Sequence, residues 1–102
     1  MIARMWHGRV LTSKAKAYRE FLNMRAVPDY QSVEGNVSVY IFEQSEGDIT
    51  QFVTLSFWKS MEVIQGFAGQ DVGVAKYYAE DKDFLFEFEP RVLHYEVVGQ
   101  SQ

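Results

Sequence analysis

The chain has 102 residues, of which 47% are hydrophobic and 16% aromatic, and its net charge is −4. This length and composition predict one domain with enough apolar material for a core, and the acidic balance excludes the basic footprint of a nucleic-acid binder. The absence of cysteine excludes disulfides, thiolate catalysis and cysteine-type zinc sites.

The N-terminal sequence MIARMWHGRV has no charged leader followed by a long apolar run, so we expect no signal peptide. No apolar run approaches about 20 residues, and the lysines and arginines are scattered, so neither a membrane-spanning helix nor an anionic membrane partner is expected. These features predict a cytoplasmic protein.

The first predicted elements are a strand, a helix and a hairpin. MIARMWHGRV carries bulky side chains on both faces, as in a strand covered on both sides. A helical period follows, starting at a cap on Thr12 or Ser13 and ending near Ala26 or Val27, before Pro28. Its predicted face consists of Ala17, Tyr18, Phe21, Leu22 and Arg25. Next, VSVYIF and ITQFVTLSFW flank the turn signal SEGD and predict an antiparallel hairpin.

The second half of the chain predicts a helix and a final strand. Ser60 is a plausible helix N-cap, the helical stripe consists of Met61, Ile64 and Phe67 or Ala68, and Gly66 and Gly69 are expected to weaken or end the helix. Asp71 is expected to cap a further helical piece, Val72 to Tyr78. RVLHYEVV is the last strand, in which His94 is interpreted as a hydrogen-bonded strand histidine.

The order β-α-β-β-α-β predicts an α+β, ferredoxin-like antiparallel sheet with two helices on one face. We expect one domain over residues 1–98, followed by a polar tail over residues 99–102. Because the strands are bulky on both faces, the face without helices should pack against a second copy, which predicts a homodimer.

The stretches FVTLSFWKSMEVIQGFAG and AKYYAEDKDFLFEFEPRVLHYEV resemble the antibiotic-biosynthesis-monooxygenase-like family of dimeric α/β barrels. The resemblance covers nearly the whole chain. It implies two ferredoxin-like protomers packed sheet to sheet, each with a pocket between its sheet and helices. Some members of this family oxidise aromatic polyketides without a cofactor, and others degrade haem.

The haem-degrading branch has an asparagine, a tryptophan and an iron-binding histidine where this chain has His7, Phe67 and Tyr77. All three positions differ. Tyrosine can ligate haem iron, so haem is not excluded. No residue is carried over as an iron ligand, and no cofactor is expected.

The candidate catalytic residues are His7 and Tyr77. If Met5 and His7 face the helices, His7 lies in the family's pocket and can act as a base towards an acidic phenol or enol. Tyr77 is a candidate hydrogen-bond partner for the substrate, the alternative being that it fills the core. Tyr78 is expected to serve packing or dimer contact.

The substrate pocket is predicted to be lined by Met5, Phe21, Trp58 and Phe67, and the alternative for the aromatic residues is simple core packing. The two histidines belong to no metal-binding motif, so no metal site is expected. The acidic run AEDKDFLFEFE is interpreted as a solvated loop leading into a dimer arm that carries Phe84, Phe86 and Phe88.

These observations predict a cofactor-independent monooxygenase acting on a small aromatic or quinol-like substrate. One alternative is a non-catalytic dimeric barrel that binds a small apolar ligand or serves a stress-related role. The other is a divergent haem-binding member. The same fold hosts all three, so fold alone does not choose among them.

Overall fold

The computed structural model describes residues 1–86 and 88–101. Glu87, in the predicted dimer arm, and Gln102, in the predicted tail, therefore lie outside the described residues. In the described part of the chain, no helix is long and apolar enough to cross a membrane.

Four antiparallel strands form one sheet in the order β2-β3-β1-β4. This arrangement confirms the predicted ferredoxin-like fold. The strands are β1 (Ile2–Leu11), β2 (Asn36–Glu46), β3 (Ile49–Trp58) and β4 (Leu93–Glu96). The central strand β1 pairs with β3 along its whole length, so the sheet is anchored on the N-terminal segment of the chain.

The first helical connection is longer than predicted. It runs through a 3₁₀ turn, α1, a π-helical turn and α2, and these elements span Thr12–Lys14, Ala15–Phe21, Leu22–Ala26 and Val27–Gln31. The expected end near Ala26 is therefore wrong. The π turn shifts the backbone bonding by one residue, with the Val27 amide donating to the Leu22 carbonyl. Pro28 then falls in the first turn of α2, where an amide needs no helical partner.

The buried face of this connection differs in part from the predicted face. Ala17 and Arg25 are exposed, contrary to expectation. The buried positions succeed one another at intervals of three or four residues, which keeps them on one side of the helical path; they are Ala15, Tyr18, Leu22, Ala26 and Tyr30.

The helix α3 (Met61–Ala68) forms as its end signals predict. The Ser60 hydroxyl accepts a hydrogen bond from the Val63 amide at 3.4 Å. Gly69 follows the helix with a φ of 91°, a conformation that favours glycine. Ile64 and Phe67 are buried against the sheet.

Residues 70–86 and 88–92, here called the cover segment, cross over the helix side of the sheet. The predicted helix from Val72 to Tyr78 is wrong. Asp71 instead closes a turn, because its carboxylate accepts the Gly73 amide at 3.1 Å and its carbonyl accepts the Val74 amide at 3.1 Å. Val74 then pairs antiparallel with Arg91. Later in the segment a short 3₁₀ helix spans Ala79–Asp83.

The two faces of the sheet have different environments. On β1, Arg4, Trp6 and Val10 are buried towards the helices, while Met5 and His7 lie on the opposite, open face. The core between sheet and helices is built from large, fully buried side chains, including Trp58, Tyr18, Phe52, Ile64 and Val10. Each such side chain stabilises the fold by roughly 1.5–3 kcal/mol.

The edge strand β4 is joined to β1 by a polar contact on the helix side. His94 lies opposite Arg4 in the register, and its Nε2 lies 3.1 Å from Arg4 Nη1. Arginine can only donate, so His94 accepts through Nε2 and is neutral. Partial burial, together with the nearby Arg4 charge, lowers the pKa of His94.

We expect Gly8→Ala to destabilise the fold by about 1–3 kcal/mol through overpacking. A Cβ at Gly8 would lie 2.3 Å from the Trp6 ring and 3.0 Å from the Leu85 side chain. Urea unfolding measures the change in free energy. The control is Gly99→Ala, whose Cβ would meet nothing within 4 Å. Equal stability of the two variants would contradict the prediction.

Stability is expected to fall as the pH drops below about 6.5, the ordinary pKa of histidine. The pKa of His94 is lowered in the folded state. As the pH falls, His94 therefore binds a proton in the unfolded chain before it does so in the folded chain. The stabilisation is complete above the unfolded pKa of His94 and is lost as the pH falls from that value to the lower pKa of the folded state. Urea unfolding over this range checks it. The variant His94→Asn keeps an acceptor for Arg4 and should lose less stability over this pH range than the wild type. The same pH dependence of stability in the variant and the wild type would refute His94 as the group that titrates.

Candidate functional site

A small, partly open cavity lies between the helix side of the sheet and the cover segment. Its volume is about 20 Å³, which is room for a single water molecule. The sheet provides the floor, the first helical connection and α3 provide the walls, and the cover segment lies over the top. The lining residues are Arg4, Trp6, Tyr18, Leu22, Ala26, Tyr30, Thr54, Phe67, Lys76, Tyr77, Tyr78, Asp81 and Val92.

Trp6 forms the floor of the cavity beside its cross-strand partner Thr54. The indole ring extends over Gly8, the one place on this part of β1 where no side chain competes for the space. Its N–H donates to the Tyr77 hydroxyl at 3.1 Å, and the two rings meet edge to face with centroids 6.1 Å apart. Trp6 and the cover segment are therefore fixed to each other.

The hydroxyl of Tyr77 is fully engaged. It accepts from Trp6 and donates to the Glu89 carbonyl at 2.6 Å. Burial raises the pKa of Tyr77, against the opposing effect of the Trp6 hydrogen bond. The ring also packs edge to face against Phe88 at 4.8 Å. Tyr77 is therefore a protonated residue in the cavity wall, and its hydroxyl joins two parts of the cover segment.

Asp81 is the buried carboxylate of the cavity, with an exposure of 3%. One oxygen accepts the Tyr78 amide at 2.6 Å, and the other accepts the Tyr18 hydroxyl at 3.3 Å. Burial raises the pKa of Asp81, although both hydrogen bonds oppose the shift. Burial and the neighbouring carboxylate strongly raise the pKa of Tyr18, so the proton stays on the phenol. Asp81 is thus the ionisable group of this pair, and its carboxylate is the one that can accept a proton.

Arg4 is a buried cation on the cavity floor, with an exposure of 2%. It donates to the carbonyls of Val72 and Val74, the latter at 3.1 Å, and to His94. Its guanidinium also lies 5.7 Å from the centroid of the Phe67 ring. Burial lowers the pKa of Arg4, yet the group stays charged at any physiological pH.

The structure brings some of the predicted site residues together and leaves others apart. Phe67 and Tyr77 line the cavity. Trp58 packs behind Phe67 with ring centroids 5.5 Å apart, and Phe21 packs on Tyr18 at 6.1 Å, next to the cavity rather than in its lining. Trp58 and Phe21 thus act as core residues around the site.

Met5 and His7 are on the other side of the sheet. His7 was expected to lie in the pocket if it faced the helices. It faces the open side of the sheet instead, so this expectation is wrong. His7 lies between Glu89, 3.1 Å from its Nδ1, and Gln51, 3.3 Å from its Nε2. Met5 and His7 border a separate groove on the open face. Alternation along β1 separates His7 from the cavity that its neighbour Trp6 lines.

Two cavity residues, Asp81 and Arg4, were not singled out from the sequence. Asp81 belongs to a run of charges that resembles a solvated loop, and its only local signal is its position three residues after Tyr78, where an acidic side chain caps a helical turn. Arg4 is a charge between the bulky residues of the first half of β1, a pattern that points to a buried partner. Among the described residues, no group of three or more histidine, aspartate or glutamate side chains could hold a metal ion.

No protein-family model matches the chain, and no curated protein matches it significantly. Solved structures do match over nearly the full length of both chains. A candidate antibiotic biosynthesis monooxygenase from Nitrosomonas europaea is 21% identical, with a TM-score of 0.70 over 97% of this chain and 100% of that chain. A second such candidate, from Bacillus cereus, is 12% identical, with a TM-score of 0.68 over 99% of this chain and 96% of that chain.

A haem degrader from Mycobacterium tuberculosis, solved with two haems bound in its active site, is also similar. It is 12% identical, with a TM-score of 0.64, and the match covers all of both chains. The sequence identities are low, but the structural matches extend over nearly the full length of each pair of chains. The chain therefore has the fold of the antibiotic-biosynthesis-monooxygenase-like proteins, as its sequence resemblance indicates.

Proposed function

We propose that the protein is a cofactor-independent monooxygenase that acts on a small aromatic or quinol-like substrate. The observation that carries the proposal is the buried Asp81 carboxylate in the wall of an aromatic cavity. Similarity to two candidate antibiotic biosynthesis monooxygenases supports the same reaction class. In this proposal Asp81 is the general base and the aromatic side chains hold the substrate ring.

Asp81 suits this role better than the neighbouring phenols do. Burial raises the pKa of Tyr18, Tyr30 and Tyr78, so all three keep their protons at neutral pH. Burial raises the pKa of the Asp81 carboxylate, and a carboxylate of higher pKa is a stronger base. His7 stays a candidate only for a substrate that binds on the open face.

The proposed reaction is balanced with dioxygen as the only co-reactant. Asp81 accepts a proton from an acidic ring CH₂ group, and the resulting carbanion transfers electrons to dioxygen. A carbon–oxygen bond forms and gives a hydroperoxide. Loss of water from the hydroperoxide leaves a carbonyl group, so that CH₂ and O₂ become C=O and H₂O. The protein contributes burial, orientation and proton transfer.

An aromatic substrate requires more space than the cavity offers, so the cover segment must move. Lys76 and the Tyr78 hydroxyl both bind the Asp29 carboxylate, at 2.8 Å and 2.6 Å. Arg25 pairs with Glu80 at 3.1 Å. The Lys76 and Asp29 side chains are about one third exposed and the Arg25 and Glu80 side chains about half exposed, so water screens both ion pairs in part and each contributes about 1 kcal/mol or less. The cover segment is therefore the proposed route by which the substrate reaches the cavity.

We expect Asp81→Asn to lower oxygen consumption by about 10²–10⁴-fold, the usual effect of removing a general base. The assay is oxygen uptake with a panel of anthrones and hydroxylated quinols. His7→Gln should retain wild-type turnover, because His7 lies across the sheet from the cavity.

The matched control is Asp83→Asn, an exposed aspartate in the same 3₁₀ helix. Urea unfolding verifies that each variant is folded. Wild-type turnover in folded Asp81→Asn would refute Asp81 as the base. If only His7→Gln lost turnover, the general base would be His7 and the substrate would bind on the open face. No oxygen uptake by the wild type with any substrate would favour a ligand-binding protein.

We also infer that the open face of the sheet pairs with a second copy of the chain. Large apolar side chains remain about half exposed across this face, namely Tyr40, Phe42, Leu93 and Tyr95. A groove of about 520 Å³ lies among β2, β3 and the C-terminal residues. A monomer rarely exposes such a contiguous apolar face, and an identical sheet matches it in size and chemistry. Phe86 and Phe88, also about half exposed, are the proposed arm towards the partner.

Light scattering should give the mass of two chains for the wild type. Phe42→Lys places a charge on the open face and should shift the mass towards one chain. Met24→Lys is the control, because Met24 is 80% exposed on the helical side. A wild-type mass of one chain would exclude the dimer, and dissociation of both variants would contradict the assignment to the open face.

A further inference from the structure

The buried guanidinium of Arg4 has no counterion in the described part of the chain. Its acceptors are two backbone carbonyls and the neutral His94 ring. By contrast, Arg19, Arg25, Lys76 and Arg91 all pair with carboxylates near the surface. A buried charge without a partner of opposite sign is expensive, and proteins keep one where a ligand or a reaction requires it.

Arg4 lies where a ligand in the cavity would contact it. It lines the cavity floor next to the Phe67 ring. Lys76 lies 4.4 Å from the centroid of the same ring, so two cations flank Phe67. Asp29 offsets the charge of Lys76, whereas the charge of Arg4 is not offset. The Arg4 end of the cavity is therefore positive.

Asp81 gives the cavity a second charged wall of opposite sign. Tyr30 lies within electrostatic range of both Arg4 and Asp81 and shares the cavity lining with them. The cavity thus has a permanent cation, a carboxylate that can accept a proton, and aromatic rings such as Trp6 and Phe67 in its lining. This pattern fits a planar aromatic molecule with an anionic oxygen directed towards Arg4.

We propose that Arg4 binds an anionic oxygen of the substrate, so that the substrate class is an aromatic molecule carrying a phenolate, enolate or carboxylate group. This inference rests on the proposed function and adds the charge of the substrate to it. A guanidinium donates charge-assisted hydrogen bonds to such an oxygen. Arg4 is then a substrate-binding residue, and the bound anion supplies the missing counterion.

A purely structural role for Arg4 has a different consequence. Its bonds to the Val72 and Val74 carbonyls hold the cover segment on β1. If that were its whole role, substitution would reduce stability, but the protein would not discriminate between ligands by charge. Ligand charge is therefore the variable to test: the wild type shows whether a charge preference exists, and Arg4 variants show whether Arg4 produces it.

Calorimetric titration of the wild type with 2-naphthoate and with the neutral 2-naphthamide makes this comparison. We expect naphthoate to bind at least about tenfold more tightly, the ratio that one charge-assisted hydrogen bond produces. Arg4→Met should bind both probes equally. Arg19→Met is the matched control, because Arg19 pairs with Glu43 on the surface, at 2.6 Å, and should keep the preference.

The inference would be overturned if the wild type bound the two probes with equal affinity. It would also be overturned if the wild type bound neither probe. A preference retained in folded Arg4→Met would place the anion site elsewhere. If Arg4→Met does not fold, Arg4→Lys and the wild-type comparison still decide the matter. Oxygen uptake without charge preference would overturn this inference alone, whereas charge preference without oxygen uptake would overturn only the proposed function.

Discussion

The alternation of side chains along β1 is the constraint on which the rest of the structure depends. β1 is paired on both sides, so its register is set by β3 and β4 together. A shift by one residue would move Arg4 and Trp6 to the open face and place Met5 and His7 under the helices. The buried cation and the indole are therefore held towards the cavity by the hydrogen bonding of the entire sheet.

The cover segment is attached to this rigid sheet by apolar packing, in which Ala75, Leu85 and Val92 are buried in the core, and by polar contacts. Arg4 holds its beginning, Asp81 organises the short 3₁₀ helix, and the Tyr77 hydroxyl ties Trp6 to the Glu89 carbonyl. Polar and partly exposed contacts contribute less than the burial of the core does. The fold thus combines a stable sheet with a cover that is held by both kinds of contact, of which the polar contacts are the weaker.

The same polar groups connect stability with chemistry. Arg4 and Asp81 are both nearly inaccessible to solvent, and each carries a charge where an apolar side chain would pack at lower cost. Neither is paired with the other in the resting structure. Proteins tolerate such costs at functional sites more often than elsewhere, and this is why the cavity, although small, is a better candidate site than the larger open-face grooves.

The sequence by itself determined the element order, the hairpin and α3, because apolar periodicity and signals such as Ser60 and Gly69 act over a few residues. It misjudged the helix end at Pro28 and the segment after Asp71, where a π turn and long-range pairing with Arg91 override local preference. Only the tertiary structure decided that Asp81 is buried and that His7 faces away from the cavity that Tyr77 lines. Burial and the choice of face depend on contacts between distant residues, and no local pattern contains them.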